Sequence, residues 1–440
     1  MAKAGRRPSL PRLDPRSLPG PDNIRRWMMG NGIVLLVREN HASPSVVLTG
    51  FLEAGGLAET PVNAGLAYLT AGALMRGTET RTFQEIYDSV ESIGASLSLS
   101  CGKHKTIFHG KALSEDLGLL LELLADVLRH PTFPREEVER LRSERLTALD
   151  IRDQDTGAVA ALAFDELAYP GHPYAVPSDG NKESVAALKR EDLIAYHRAN
   201  YGPRGMVLAV VGAVRAEAAR AAVEKALADW VNPGQVAAAP AGTAAAPKKI
   251  VRRDVSLAGK SQCDLVIGVP GPPRRDPDYL AAALGNSVLG RFGLYGRVGD
   301  AVRENAGLAY YASSSISGGH GPGPWSIVAG VNPANVAKAI ALIRREIERF
   351  VVRRVTIAEL EENQAHFIGR LPLQLESNDG VASSLINIEE YDLGLDYYLA
   401  YPERVAAIDR ETILATAQRF LSPDRLAIAV AGPPVRRGSA

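Results

Sequence analysis

Few side chains of this 440-residue chain stand in spacings that could do chemistry. Arg303 and Tyr310, seven residues apart in V-R-E-N-A-G-L-A-Y-Y, have the clearest use. An arginine presents five fixed donors and keeps its charge at every relevant pH. A tyrosine hydroxyl donates to a peptide carbonyl or to a developing oxyanion. The same spacing also suits a surface arginine and a half-buried tyrosine at a helix end, so the pair needs a context. The histidines do not supply one. His104 and His109 are five apart in a β-type stretch, which points them to opposite faces. His41, His130, His172, His197, His320 and His366 are scattered. There is no Cys/His zinc spacing and no G-x-S-x-G elbow, and Cys101 and Cys263 lie far apart. The glycine-rich Leu289–Gly299 lacks G-K-[ST] and reads as a flexible or tightly turning loop. Gly318–Gly321 reads as a hairpin turn.

The context lies in residues 65–78, G-L-A-Y-L-T-A-G-A-L-M-R-G-T. By itself this is an amphipathic helix that packs Leu66, Leu69 and Leu74 into a core. Its frame resembles the inverted zinc motif of the insulinase, pitrilysin and mitochondrial processing peptidase family, which usually reads close to G-L-A-H-x-x-E-H-M-x-F-x-G-T. Gly65, Leu66, Ala67, Gly77 and Thr78 fall into register. The three chemical positions become Tyr68, Ala71 and Gly72. In the motif two His on one helical face hold zinc and the Glu between them is the general base. Ala71 cannot take a proton from water, Gly72 has no side chain, and a neutral phenol with a pKa near ~10 is a poor ligand. The family's third ligand, a Glu on a later helix, falls near Ala148 and Leu149, with Asp150 beside them. The resemblance thus implies a chain with no catalytic residue and no metal of its own.

The resemblance extends over about residues 25 to 435. It includes Asn31-Gly32 before the first strand, Thr132-Phe133-Pro134, Gly171-His172-Pro173-Tyr174 with Gly180, and the R-E-x-x-G-L-A-Y element at 303–310. In the family that element carries an Arg and a Tyr that contact substrate near the scissile bond, which assigns substrate binding to Arg303 and Tyr310.

The elements that must position these residues are written twice. Asn232–Pro247, rich in Ala, Pro and Gly, reads as a linker between halves of similar content. The first half ends in a helix, a Pro-containing turn and the apolar run M-V-L-A-V-V-G; the second ends in a helix, a turn and L-A-I-A-V-A-G. Upstream, Ser114 caps a helix carrying Leu117, Leu120, Leu121, Leu124 and Leu128, echoed by Val336, Ile340, Ile343 and Ile347. Strands with interspersed long helices predict an α+β fold, two homologous α/β-sandwich domains in tandem, each a sheet with one face covered by helices. The expected boundaries are an extended N-terminal arm over 1–24 that could lie along a partner, a first domain over 25–231, the linker over 232–247 and a second domain over 248–435.

With 50 basic and 50 acidic residues the chain carries no net charge, which removes the electrostatic case for nucleic acid or an anionic membrane. No run reaches the length of a membrane span, and residues 1–24 lack the apolar core of a secretory signal, so a cytoplasmic location is expected. Together with the resemblance, these features predict a non-catalytic, substrate-positioning subunit of a heterodimeric zinc metallopeptidase that acts on unfolded peptides. Its partner would be a homologous chain carrying H-x-x-E-H and the zinc. The alternatives are a structural core-type subunit of a larger complex and a peptide-binding homodimer that does not cleave.

Overall fold

The computed structural model describes residues 10–434. Strands β1 (Arg25–Met28), β2 (Val34–Glu39), β3 (Ser45–Leu52), β4 (Ser96–Cys101), β5 (Thr106–Leu113) and β6 (Val207–Gly212) form one sheet in the order β1-β2-β6-β3-β5-β4. Strands β7 (Val251–Ser256), β8 (Cys263–Pro270), β9 (Ala309–Ile316), β10 (Pro324–Val331) and β11 (Ala427–Gly432) form the other, β7-β11-β8-β10-β9. Apart from β1 the two orders are the same. The mixed pairing repeats as well: β2 runs parallel to β6 as β7 does to β11, and the remaining pairs are antiparallel. The duplication read from the sequence is therefore a duplication of topology.

The helices of the first half are α1 (Leu66–Ala73), α2 (Phe83–Glu91), α3 (Leu117–Arg129), α4 (Arg135–Arg152), α5 (Thr156–Ala168), α6 (Lys182–Ala187), α7 (Arg190–Asn200) and α8 (Ala216–Leu227). The second half has α9 (Tyr279–Gly290), α10 (Phe292–Gly299), α11 (Val336–Val352), α12 (Ile357–Gln374), α13 (Asn378–Glu390), α14 (Tyr397–Ala406) and α15 (Arg410–Phe420). Two local expectations change. Ser114 does not cap α3; Ser114–Asp116 form a 3₁₀ turn that leads into it. The glycine-rich 289–299 stretch is the end of α9 and the whole of α10, because the backbone there passes so close to α9 that a Cβ on Gly296 would lie 2.7 Å from the Val288 carbonyl.

Each sheet is covered on both faces, not one, and the second cover comes from the other half. In β6, Leu208 and Val210 join the core of their own half, whereas Val207, Ala209 and Val211 pack against Val381, Ala382, Leu385 and Ile388 of α13. In β11, Ile428 and Val430 face their own half, and Ala427, Ala429 and Ala431 meet Ala160, Ala163 and Phe164 of α5. This explains why V-L-A-V-V and A-I-A-V-A do not alternate with polar residues: a strand buried on both faces reads as a continuous apolar run. Burying one Leu or Val contributes about 1.5–3 kcal/mol, so this exchange of helices locks the halves together.

Polar pairs cross the same seam. Glu390 holds Lys105 of the first half and, within its own half, His320 at 3.2 Å; Arg26 reaches Glu389 at 2.7 Å and His109 reaches Asp379 at 2.9 Å. The arm differs from expectation in its described part. Leu18 and Ile24 are buried with the α13 and α14 side chains, and Gly20 sits against Leu399, so residues 18–24 lie on the chain's own second half. The rest of the arm, residues 1–9, and residue 435 lie outside the described residues. The 232–247 stretch has no helix or strand, but Gln235 is buried in reciprocal hydrogen bonds with the Arg204 backbone. No helix among the described residues is long and apolar enough to cross a membrane.

Candidate functional site

Helix α1 is built around its N-terminus. Gly65 enters it at φ 90°, with its Cα packed on Gly180 (φ 81°) so closely that a Cβ would fall 2.9 Å away. The backbone N–H groups of Gly65 and Ala67 donate to the buried Glu59 carboxylate at 3.0 and 2.6 Å, an acceptor placed where a helix leaves its first donors unpaired. Burial nevertheless pushes the Glu59 pKa up, against these hydrogen bonds. Ala67, Leu69, Ala71, Ala73 and Leu74 are buried.

Of the three chemical positions, Ala71 is in the core, Tyr68 is 36% exposed, and Gly72 faces Leu141 of α4, whose Cδ2 would lie 3.3 Å from an added Cβ. The Arg145 guanidinium stands 4.9 Å from the centre of the Tyr68 ring. Arg145 is held there by the carboxylate and carbonyl of Asp179, which Arg152 also grips at 2.9 Å. Leu149 is fully buried, and Asp150 turns outward to Lys182 at 2.5 Å; Leu141 faces Gly72 and Arg145 faces Tyr68 from α4. An aliphatic chain and a fixed cation thus stand against positions 72 and 68. Among the described residues no three His, Cys, Asp or Glu side chains gather as a metal-binding group.

Arg303 and Tyr310 sit on a different surface. Asp300–Glu304 form a wide turn anchored by buried Val302, whose carbonyl accepts from Leu308 N–H at 3.0 Å. Gly307 (φ 61°) closes the turn by donating to the Arg303 carbonyl at 3.0 Å. The Arg303 side chain lies 3.6 Å from Glu304. Next, β9 pairs with β10 through a bulge: Ala309 is opposite Val331 and Tyr311 opposite Gly330, which leaves Tyr310 as the extra residue. Tyr311 is tied inward by its hydroxyl, which donates to Asp264 at 2.6 Å. Tyr310 is left 68% exposed on a strand that ends its sheet.

A third feature had no signal in the residues as spaced. A cavity of about 530 Å³ lies in the seam, lined by Tyr68, Cys101, Lys103, Asp165, Tyr169 and Tyr174 of the first half and by Ser317–Gly319 of the second. His104 accepts from or donates to the Tyr174 hydroxyl at 2.7 Å and leans on His320 at 5.3 Å. Burial, helped by the facing His320, lowers the His104 pKa to about 4, so the ring is neutral at pH 7. Burial also pushes the Cys101 thiol up to about 12, which removes it as a nucleophile. The H-P-Y segment supplies part of this wall, but its motif does not identify the rest.

Comparison with known proteins gives two family matches, the second of which begins within the first half. Residues 34–171 match the family model described as Insulinase (Peptidase family M16), and residues 187–367 match the Peptidase M16 inactive domain. The chain is similar to a peptidase M16 inactive domain from Pseudomonas fluorescens, at 26% identity and a TM-score of 0.87, over 95% of this chain and 100% of that one. It is 25% identical to an uncharacterized zinc protease of Streptomyces coelicolor, over 94% of this chain and 90% of that protein. It is 29% identical to the mouse mitochondrial cytochrome b-c1 complex subunit 1, over 60% of this chain and 55% of that subunit.

Proposed function

This chain belongs to the insulinase (M16) peptidase family, and from that premise we propose that it is the non-catalytic, substrate-positioning subunit of a two-subunit zinc metallopeptidase acting on unfolded peptides. The observation that carries the reading is the contrast between the two halves. The motif positions hold Tyr68, Ala71 and Gly72, with Arg145 over the Tyr68 ring and Leu141 against Gly72, while Arg303 stands in the turn that leads into edge strand β9 and Tyr310 is turned outward at the bulge of that strand. In this reading the partner is a homologous chain that carries H-x-x-E-H and the zinc, which there supplies the activated water. Arg303 and Tyr310 bind and orient the peptide: the guanidinium fixes a carbonyl, and the phenol donates to the oxygen on which charge develops. Orientation of this kind is worth several kcal/mol of barrier, so a subunit without metal can be essential. Strands β4 and β9 end their sheets among the described residues, and such edges offer backbone groups suited to an extended peptide. A cytoplasmic location goes with this reading.

Co-expression with a homologous H-x-x-E-H chain tests it. The expected result is a 1:1 complex with one zinc per pair, and a separately purified chain without stoichiometric zinc. A chain that holds one zinc by itself contradicts the proposal. The similarity to the cytochrome b-c1 subunit favours a second reading, a core subunit with a structural role. Under it the complex forms but its properties ignore Arg303 and Tyr310. A self-paired chain that binds peptide without cutting it is the outcome expected of a homodimer.

A further inference from the structure

We infer that the seam cavity captures the C-terminal carboxylate of a peptide, with Lys103 as the cation that receives it and Tyr68, Tyr169 and Tyr174 as the wall against its last, apolar side chain. The inference rests on the peptide-binding reading above and adds a site distinct from Arg303 and Tyr310, neither of which lines this cavity.

Lys103 sits in the tight turn between β4 and β5. Its Nζ is out of contact with solvent and has no hydrogen-bond partner among the described residues. The neighbouring charges are committed elsewhere. Asp179 is held by Arg145 and Arg152, and Glu59 accepts from the N-terminus of α1. Lys105, two residues on, is taken by Glu390. Asp165 is the carboxyl group left on the cavity wall. Burial pushes it up to about 7, partly offset by Lys103, so its acid form, a hydrogen-bond donor, is present at neutral pH. An ammonium with three donors, on a wall whose one uncommitted carboxyl is partly in its acid form at neutral pH, is matched by an anion with several acceptor positions.

The rest of the wall selects the kind of anion. About 530 Å³ is within the range of small-ligand pockets and admits one or two residues. The lining is largely aromatic and aliphatic, with Leu162, Val176 and Pro177 continuing it. An internal Asp or Glu would bring chain in on both sides and leave its backbone groups facing apolar surface, which is costly. A chain end brings one strand only. The last residue of edge strand β4, Cys101, lines the same cavity, so a chain on that edge runs into it.

The test measures anisotropy of labelled unfolded peptides ending in Leu, as the free acid and as the C-terminal amide, bound to the intact chain. The free acid should bind about tenfold tighter or more. Lys103→Met should remove that preference and leave the amide unchanged, and Lys103→Arg should retain it. On the unaltered chain, N-acetyl-leucine should compete with the acid peptide and N-acetyl-leucinamide should not, which holds the test open if Lys103→Met fails to fold. Equal binding of acid and amide overturns the capture site while leaving peptide binding in place. Absence of binding by either peptide, with or without the partner subunit, overturns both readings.

Discussion

Helix α1 and the Arg303–Tyr310 element are maintained by different forces. Helix α1 keeps its place through burial: Leu69, Ala71, Ala73 and Leu74 are in the core, Gly65 is locked on Gly180, and Glu59 caps the entry. None of these contacts needs a metal, so the helix holds its place with Tyr68, Ala71 and Gly72 at the motif positions. Tyr310 is the reverse. It is 68% exposed on a bulge, and nothing in the packing of the second half requires a phenol there. A frame held by packing retains its shape whatever its chemistry, whereas the packing of the second half leaves the Tyr310 phenol facing outward at the sheet edge.

The largest effect that would sharpen this comparison is on activity. In the two-subunit complex, Arg303→Ala or Tyr310→Phe should lower the rate on an unfolded peptide by about 10²–10³-fold, the usual loss for one transition-state donor. The melting temperature of this chain should not change with Tyr310→Phe, because surface changes stay within about 0.5 kcal/mol. A matching loss of stability would break the comparison by making Tyr310 a structural residue.

Next in size is the seam that joins the two regions into one body. Burial acts to raise the Glu390 pKa, but the hydrogen bonds from His320 and Lys105 outweigh it and hold the carboxyl at about 2. A depressed carboxyl contributes stability above its unfolded value of 4.5, and that contribution is lost as pH falls from 4.5 toward 2. Glu390→Gln should therefore cost about 2–3 kcal/mol at neutral pH and almost nothing near pH 2. Denaturant melts at several pH values check this; a cost that does not change with pH would remove the pair from the account.

Restoring the zinc motif probes the packing side directly. Gly72→His drives a side chain into Leu141 and should cost about 1–3 kcal/mol. The triple change Tyr68→His, Ala71→Glu, Gly72→His should still fail to bind zinc, measured by metal analysis after dialysis, because the Arg145 guanidinium stays in place. Stoichiometric zinc in that variant would show that the frame is less committed than argued. The smallest effect is at Glu59, whose pKa burial raises above the unfolded 4.5. Stability should fall slightly as pH rises from 4.5 through that raised value, and Glu59→Gln should remove the slope.

Much of the frame was legible because it depends on local pattern. The 3.6-residue periodicity of α3 and α11 and the paired apolar runs at β6 and β11 mark the duplication directly. The unalternating runs also held the information that both faces are buried, but not that the second face is covered by the opposite half. That cover depends on residues far apart in sequence, such as Leu385 clustered with Val207 and Val211, and only the fold sets the pairing of α13 with β6. The glycines of 289–299 lie in helix rather than in a loop: Gly296 is needed for the close approach to α9, Gly290 packs on Ser314 of β9, and Gly293 and Gly296 take left-handed backbone. At the site, Tyr68, Ala71, Gly72, Arg303 and Tyr310 were legible as positions in motifs. Arg145, Lys103 and Asp165 were not, since nothing but the packing of α4, the β4–β5 turn and α5 brings them to the helix and the seam.

The most direct test of the central claim is reconstitution: peptidase activity on a casein-like unfolded substrate, measured with zinc content, for this chain alone, for its H-x-x-E-H homologue alone and for the mixture. The account predicts an inactive chain, a weak or inactive homologue, and full activity only in the mixture. Activity from this chain alone, or a homologue that reaches full rate without it, would contradict the account.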